Sequence, residues 1–115
     1  MPNAQALPAR LTRRSDFLRL AAQGKKFAKY GFVLQFSQSE NDGAVRVGYT
    51  ATKKLGNAVA RNRAKRRLRE AARVVLAGRA VQGVELVLIA RKETSAIDFL
   101  RLKQGLAKVL DEALP

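Results

Sequence analysis

The chain contains neither cysteine nor histidine among its 115 residues. Disulfides and thiolate metal sites are therefore excluded, and the usual general bases for phosphodiester hydrolysis are missing. Carboxylates are scarce as well, with nine Asp and Glu against 23 Lys and Arg, for a net charge of +14. The carboxylates are scattered: Glu40 and Asp42 fall in the turn cluster SENDG, and Asp111 and Glu112 lie near the C-terminus. No GxxxxGK phosphate loop occurs. A nuclease made of this protein alone is thus not expected, and no residue is assigned as catalytic or metal-ligating. The longest uncharged apolar stretch, Leu86 to Ala90, is too short to span a bilayer. The opening MPNAQALPARL has no cation-then-apolar arrangement of a secretory signal, so the cytoplasm is the expected compartment.

What the chain does have is apolar residues at 47% and cations in excess. The first is enough for one modest core. The second repels itself in a compact monomer but speeds encounter with polyanions, which makes nucleic acid the expected partner, ahead of a membrane.

Residues 1–14, with two of the three prolines and no apolar periodicity, read as a flexible arm; residues 15–115 read as a single domain. Ser15 is placed to cap a short helix, DFLRLAAQ, ended by Gly24, with Phe17, Leu20 and Ala21 on one face. In FAKYGFVLQFSQ, Phe32, Leu34 and Phe36 alternate with Val33, Gln35 and Ser37, the pattern of a strand. AVRVGYTAT alternates likewise, with Val45, Val47 and Tyr49 on one face, and the two strands are expected to pair as an antiparallel hairpin around SENDG. A long helix follows from about Asn57 to Gly78, then VELVLIARK, whose apolar centre suits a strand covered on both faces. Ser95 and Asp98 resemble a capping box opening a last helix with Phe99, Leu102, Leu106 and Leu110 at core spacing. The expected fold is α+β, an α/β sandwich with a small, mostly antiparallel sheet and three helices in the order α-β-β-β-α-β-α.

The long helix carries the sharpest signal. Ala60, Ala64, Leu68, Ala71 and Val75 form one stripe, and Asn62, Arg66, Arg69 and Arg73 lie opposite. Arg61 and Lys65 flank one edge, Arg63 and Arg67 the other. From Gly43 to Arg69 there are nine Lys or Arg and no acid. A solvated helix face usually mixes signs, because opposite charges three or four apart contribute a few tenths of a kcal/mol each. Like charges at i,i+4, as in Arg63 and Arg67, cost stability unless a polyanion screens them. Arg in place of Lys also suits bidentate phosphate contacts. Lys53 and Lys54 precede the helix N-terminus, itself favourable to anions, and would lengthen the phosphate track.

The stretch KKLGNAVARNRAKRRLRE resembles the signature of the protein subunit of bacterial ribonuclease P, through Lys53, Lys54, Gly56, Ala58, Val59, Arg61, Asn62, Arg63, Lys65 and Arg66. The order of the Phe17 helix, RVGYTATKK, VLIARK and the last amphipathic helix extends the likeness from Leu11 to Leu110. Membership implies a partner, the catalytic ribonuclease P RNA, and a substrate, precursor tRNA, whose 5′ leader is removed. It also implies Mg2+ held mainly by the RNA, no organic cofactor, and a left-handed βαβ crossover. By the same resemblance Lys53, Lys54, Asn57, Arg61, Asn62, Arg63, Lys65, Arg66, Arg69 and Arg73 would meet the RNA subunit. A cleft between the first helix and the sheet would take the single-stranded leader, through Phe17, Val33, Gln35, Arg91 and Lys92. Ala21 and Gln35 stand where relatives often carry aromatics, and Ala64 where they carry a larger aliphatic.

Two other readings need only the charge pattern. One is a ribosomal or other structural RNA-binding protein. The other is a DNA-binding module reading the major groove with residues 61–73, which lacks the partner helix that a helix-turn-helix requires.

Overall fold

The computed structural model describes residues 9–38, 45–77, 79 and 83–113. Its elements run β1 (Ala9–Arg10), α1 (Arg14–Gln23), β2 (Lys25–Lys29), β3 (Phe32–Gln38), β4 (Arg46–Ala51), α2 (Ala58–Ala77), β5 (Val84–Ala90), α3 (Lys92–Ala96) and α4 (Phe99–Ala113), with a 3₁₀ turn at Lys53–Leu55. They form one five-stranded sheet in the order β1-β4-β5-β3-β2.

The sheet is mixed rather than mostly antiparallel. β1 with β4 and β4 with β5 are parallel; β3 with β5 and β2 with β3 are antiparallel. The expected β3–β4 hairpin does not form, because β5 lies between the two strands. Every second residue of β3 and β4 belongs to the main core, whereas β5 is apolar on both faces and takes the centre, where both faces are covered. The hairpin is instead β2–β3. FAKYGFVLQFSQ is not one strand: it turns at Tyr30 and Gly31, whose φ values of 57° and 84° make a two-residue turn of the primed kind. SENDG lies outside the described residues.

One face of the sheet carries α2 and α4 over a large core containing Phe32, Leu34, Val47, Leu68, Leu86, Leu88, Leu102 and Leu106. The other carries α1 over a small one of Leu11, Leu20 and Val87, with Phe17 and Ile89 half-buried against it. Ala60 and Val75, at the edges of the expected α2 stripe, are half-buried, while Ala72 and Leu76 are buried with Ala64, Leu68 and Ala71. The helix is thus rolled slightly from the expected orientation.

The hand of the β4–α2–β5 connection follows from the backbone pairing. Thr52 donates its N–H to Ala90 of β5, whereas Val45 and Val47 offer their carbonyls to Ala9 and Leu11. Even-numbered residues of β4 therefore turn their backbone groups to β5, and their side faces, at Gly48 and Thr50, look toward α1. For L-residues seen from that side with the strand pointing up, these groups point right. β5 is on the right and α2 behind, so the crossover is left-handed, the rare hand.

Three local expectations shift. The chain docks before residue 15: Ala9–Arg10 pair with β4, and Leu11 is buried, while residues 1–8 lie outside the described part. Arg13, not Ser15, sits at the start of α1, and no side chain caps it. Asp98 caps α4 through Leu100 N–H at 3.1 Å, but Ser95 lies inside α3, so the two make no capping box. The turn of α3 is anchored by Thr94, which accepts from Arg91 N–H at 2.8 Å and donates to the Gly31 carbonyl at 2.5 Å.

Candidate nucleic-acid interface

The start of α2 is built by two residues with no charge. Gly56 holds φ 143° and ψ −153°, a region open essentially to glycine. Asn57 then accepts the Ala60 N–H at 2.9 Å through its Oδ1, capping the helix. Asn57 thus orients the basic helix, and its oxygen is spent on that task rather than free for RNA. Just ahead, Lys53 and Lys54 are exposed on the 3₁₀ turn beside the positive end of the helix dipole.

Along α2, Asn62, Arg63, Arg66 and Arg69 are exposed, and Arg61 and Lys65 are half-buried at the edge of the core stripe. Among the described residues none of these cations pairs with a carboxylate. The track has an end. Arg73 is held by Glu70 through both carboxylate oxygens, which raises the guanidinium pKa and lowers that of Glu70. Arg73 therefore carries its own counterion, unlike the other expected RNA contacts. Arg67 is also withdrawn: it donates to the Thr94 carbonyl at 2.6 Å and sits 5.8 Å from the centre of the Phe99 ring, joining α2 to α3 and α4. No helix is packed before α2 in the helix-turn-helix manner, since β4 and a 3₁₀ turn precede it.

On the opposite face of the sheet, a cavity of about 430 Å³ opens between α1 and strands β3, β4 and β5. Phe17 and Gln35 line it, as expected; Gln35 is only 6% exposed and forms part of its floor. Val33 is half-buried on the same side, in register with Ile89. Arg91 and Lys92 are exposed beyond the end of β5 and do not line the cavity, because the strand gives way to the Thr94-anchored turn. The lining residues that sequence reading did not assign to the cleft include Thr12, Arg14, Leu18, Tyr49, Thr50, Val87 and Ile89. Val87 and Ile89 were recoverable from the two-sided apolarity of β5. Lys26, opposite Gln35 in the β2–β3 register, adds an exposed cation to this face.

Phe17 owes its position to an absent side chain. A Cβ on Gly48 would stand 2.7 Å from the tip of the Phe17 ring, so the ring rests where β4 has no side chain. The helix bearing Phe17 is fixed by four ions. Arg19 reaches Asp16 at 2.9 Å and Glu85 at 2.8 Å, and Arg46 reaches Glu85 at 2.9 Å. Hydrogen bonds to Glu85 and then Asp16 hold the Arg19 pKa above its ordinary value. Asp16 Oδ1 and both Glu85 oxygens are thus engaged by guanidinium groups, whereas Asp16 Oδ2 is buried without a hydrogen-bond partner, 3.7 Å from Arg46. Among the described residues no group of three or more Asp or Glu comes together, and no helix is long and apolar enough to cross a membrane.

Comparison with known proteins points the same way. The family model described as Ribonuclease P matches residues 7–114. A ribonuclease P protein component of Gluconacetobacter diazotrophicus is 45% identical over 104 residues, covering 90% of each chain. That of Paramagnetospirillum magneticum is 44% identical over 105 residues, covering 88% of this chain and 79% of its own. Among solved structures, the Staphylococcus aureus RNase P protein superposes with a TM-score of 0.75 at 32% identity, covering 91% of this chain and 94% of its own. The Thermotoga maritima RNase P protein gives 0.73 at 32% identity, covering 90% and 96%. With its basic helix, its left-handed crossover and its α1 cleft all in place, the chain belongs to the family of ribonuclease P protein components.

Proposed function

We propose that the chain acts as the RNA-binding, non-catalytic subunit of a cytoplasmic ribonuclease P, in which the RNA carries the chemistry and the Mg2+. Its face of α2 from Lys53 to Arg69 binds the RNA subunit, and its α1 cleft receives the 5′ leader of precursor tRNA. The observation that carries this reading is the disposition of charge. Seven Arg and Lys from 53 to 69, leaving Arg67 aside, are without an acidic partner among the described residues. Such a surface is self-repelling unless phosphates cover it. The cleft on the other face is lined by an aromatic ring, aliphatic side chains and few charges, which suits stacked bases of any sequence. Non-catalysis is supported by the lack of His and Cys and by the engagement of Asp16, Glu70, Glu85, Asp111 and Glu112 in ion pairs.

The test is reconstitution. The chain is added to a bacterial ribonuclease P RNA at low Mg2+, and 5′ cleavage of precursor tRNA is followed. Stimulation is expected, together with no cleavage by the protein alone. Absence of stimulation would sink the assignment, and cleavage without RNA would overturn the division of labour. Copurification with ribosomal subunits in place of a single RNA would favour the structural-RNA reading.

A further inference from the structure

The N-terminal strand brings one more cation to the same side of the sheet as α2. Arg10 pairs with Val47 in parallel register, so the two side chains project on one face. That face is the α2 face, because Val47 is in the main core, while Leu11, next in the chain, is buried with Leu20 and Val87 on the other. Tyr49 follows Val47 by two residues on β4 and packs, half-buried, against the same core.

The two flanks of α2 are distinguishable. Arg67 faces α3 and α4, through Thr94 and Phe99. Arg69 lies about 200° further round the helix, at 100° per residue, and so falls on the opposite flank, over the β4 edge. The charges of Arg69 and Arg10 are both felt at the Tyr49 hydroxyl, where they oppose the effect of its burial. Among the described residues neither arginine meets a carboxylate, and the Tyr49 hydroxyl has no hydrogen-bond partner.

We infer that Arg10, Tyr49 and Arg69 form a phosphodiester-binding site at the β1–β4 edge, through which the RNA contact of α2 continues onto the N-terminal strand. Two guanidinium groups supply charge and paired donors, and the phenol supplies a neutral O–H donor to a remaining phosphate oxygen. The three groups come from positions far apart in sequence, which is why the charge run of α2 does not reveal them. The site rests on the reading of α2 as an RNA-binding face.

Binding of the full chain to a ribonuclease P RNA transcript, measured across a salt series, tests it. Arg10→Gln should weaken binding and reduce the slope of log K against log salt by roughly 0.7 to 0.9, one phosphate contact. Tyr49→Phe keeps the ring packing and the charge; it should weaken binding by roughly tenfold or more with the slope unchanged, the loss of one hydrogen bond to an anion. The double variant should lose less than the product of the two effects, since both act on one phosphate. Arg66→Ala serves as the control on α2. If Arg10→Gln and Tyr49→Phe bind like the parent while Arg66→Ala weakens binding, the site is wrong and the α2 reading stands. If Arg66→Ala also binds like the parent, the α2 reading fails and takes the site with it. Should Arg10→Gln lower the thermal midpoint by releasing β1, Tyr49→Phe alone decides the matter.

Discussion

Gly48 and Phe17 are a pair in which the smaller residue decides what the larger can do. The ring of Phe17 ends 2.7 Å from where a Gly48 Cβ would be, with Leu11 Cβ at 3.1 Å. Gly48→Ala must therefore push the ring outward, at a stability cost of about 1–3 kcal/mol for overpacking. Stacking of one base on an aromatic side chain is worth about 1–3 kcal/mol. Gly48→Ala, like Phe17→Ala, should thus lower the preference for precursor over mature tRNA by roughly tenfold, while leaving affinity for the RNA subunit unchanged. A Gly48→Ala variant with normal leader preference would show that Phe17 does not need its seat. Tyr49 gives a second prediction at this scale. Burial pushes its hydroxyl from 10 up to about 12, so between these values the folded state holds a proton that the unfolded state has released. Stability relative to Tyr49→Phe should be level below pH 10 and fall as pH rises toward 12, by an amount of order 2–3 kcal/mol at the top. Denaturant midpoints of the two proteins across this range check the sign; a gap that stays constant would show that the phenol titrates as it does in water.

Element by element, what the sequence conveyed followed its periodicities. The ends of α2, the core spacing of α4 and the opposed faces of β3 were readable because each depends on neighbours within a few residues. The position of β5 between β3 and β4 was not, because pairing is a long-range choice, and two alternating strands flanking a turn cluster look the same whether or not a third comes between them. The short strand β1 was hidden for a similar reason: two residues carry no period. The site divides the same way. The cations of α2 were visible as a run, but the Glu70 partner that removes Arg73 from it, the use of Asn57 as a cap, and the departure of Arg91 and Lys92 from the cleft are matters of side-chain geometry. The clamp on α1 was invisible too, since Asp16, Arg19, Arg46 and Glu85 share no motif. Glu85 is 5% exposed and accepts from arginines on both α1 and β4. Removing one partner of a fully buried ion pair costs about 3–5 kcal/mol, but the arginines that Glu85 would leave behind are 37% and 42% exposed, so water takes over part of their solvation. Glu85→Ala should accordingly lower stability by less than that, about 1–3 kcal/mol, whereas Glu70→Ala, on the exposed surface of α2, should leave it nearly unchanged. Chemical denaturation of both variants is the check, and a mild effect at Glu85 would mean that α1 is held by Leu20 and its apolar contacts alone. In RNA binding the contrast reverses. Freed of its carboxylate, Arg73 in Glu70→Ala should add to the salt slope, which would stay fixed if the RNA ended its contact at Arg69.

At the scale of the whole molecule, one charge distribution sets two salt dependences of opposite sign. The free protein holds +14 within a radius of gyration of 13.3 Å. That is comparable with the Debye length of about 10 Å at 0.1 M salt, so raising ionic strength screens a large share of the repulsion. Against this, salt weakens the favourable pairs. Lys29–Glu112 and Arg79–Asp111 are surface pairs that contribute about 0–1 kcal/mol each, and in the Glu85 cluster the carboxylate is buried although Arg19 and Arg46 are 37% and 42% exposed, so salt weakens it only in part. Repulsion among cations therefore outweighs what is lost at the pairs. The thermal midpoint of the free chain should rise between about 0.02 and 0.5 M of a weakly binding salt, on either side of the Debye scale above. Over the same interval affinity for the RNA should fall steeply, since each phosphate contact releases counterions. A bound RNA replaces the salt as the screen, so the midpoint of the complex should be higher than that of the free chain at low salt, and the two should converge as salt rises. Scanning calorimetry of both samples over the series measures this. A midpoint of the free chain that fell with salt would place the balance with the ion pairs, and the unshielded face of α2 would then carry no electrostatic strain for an RNA to relieve.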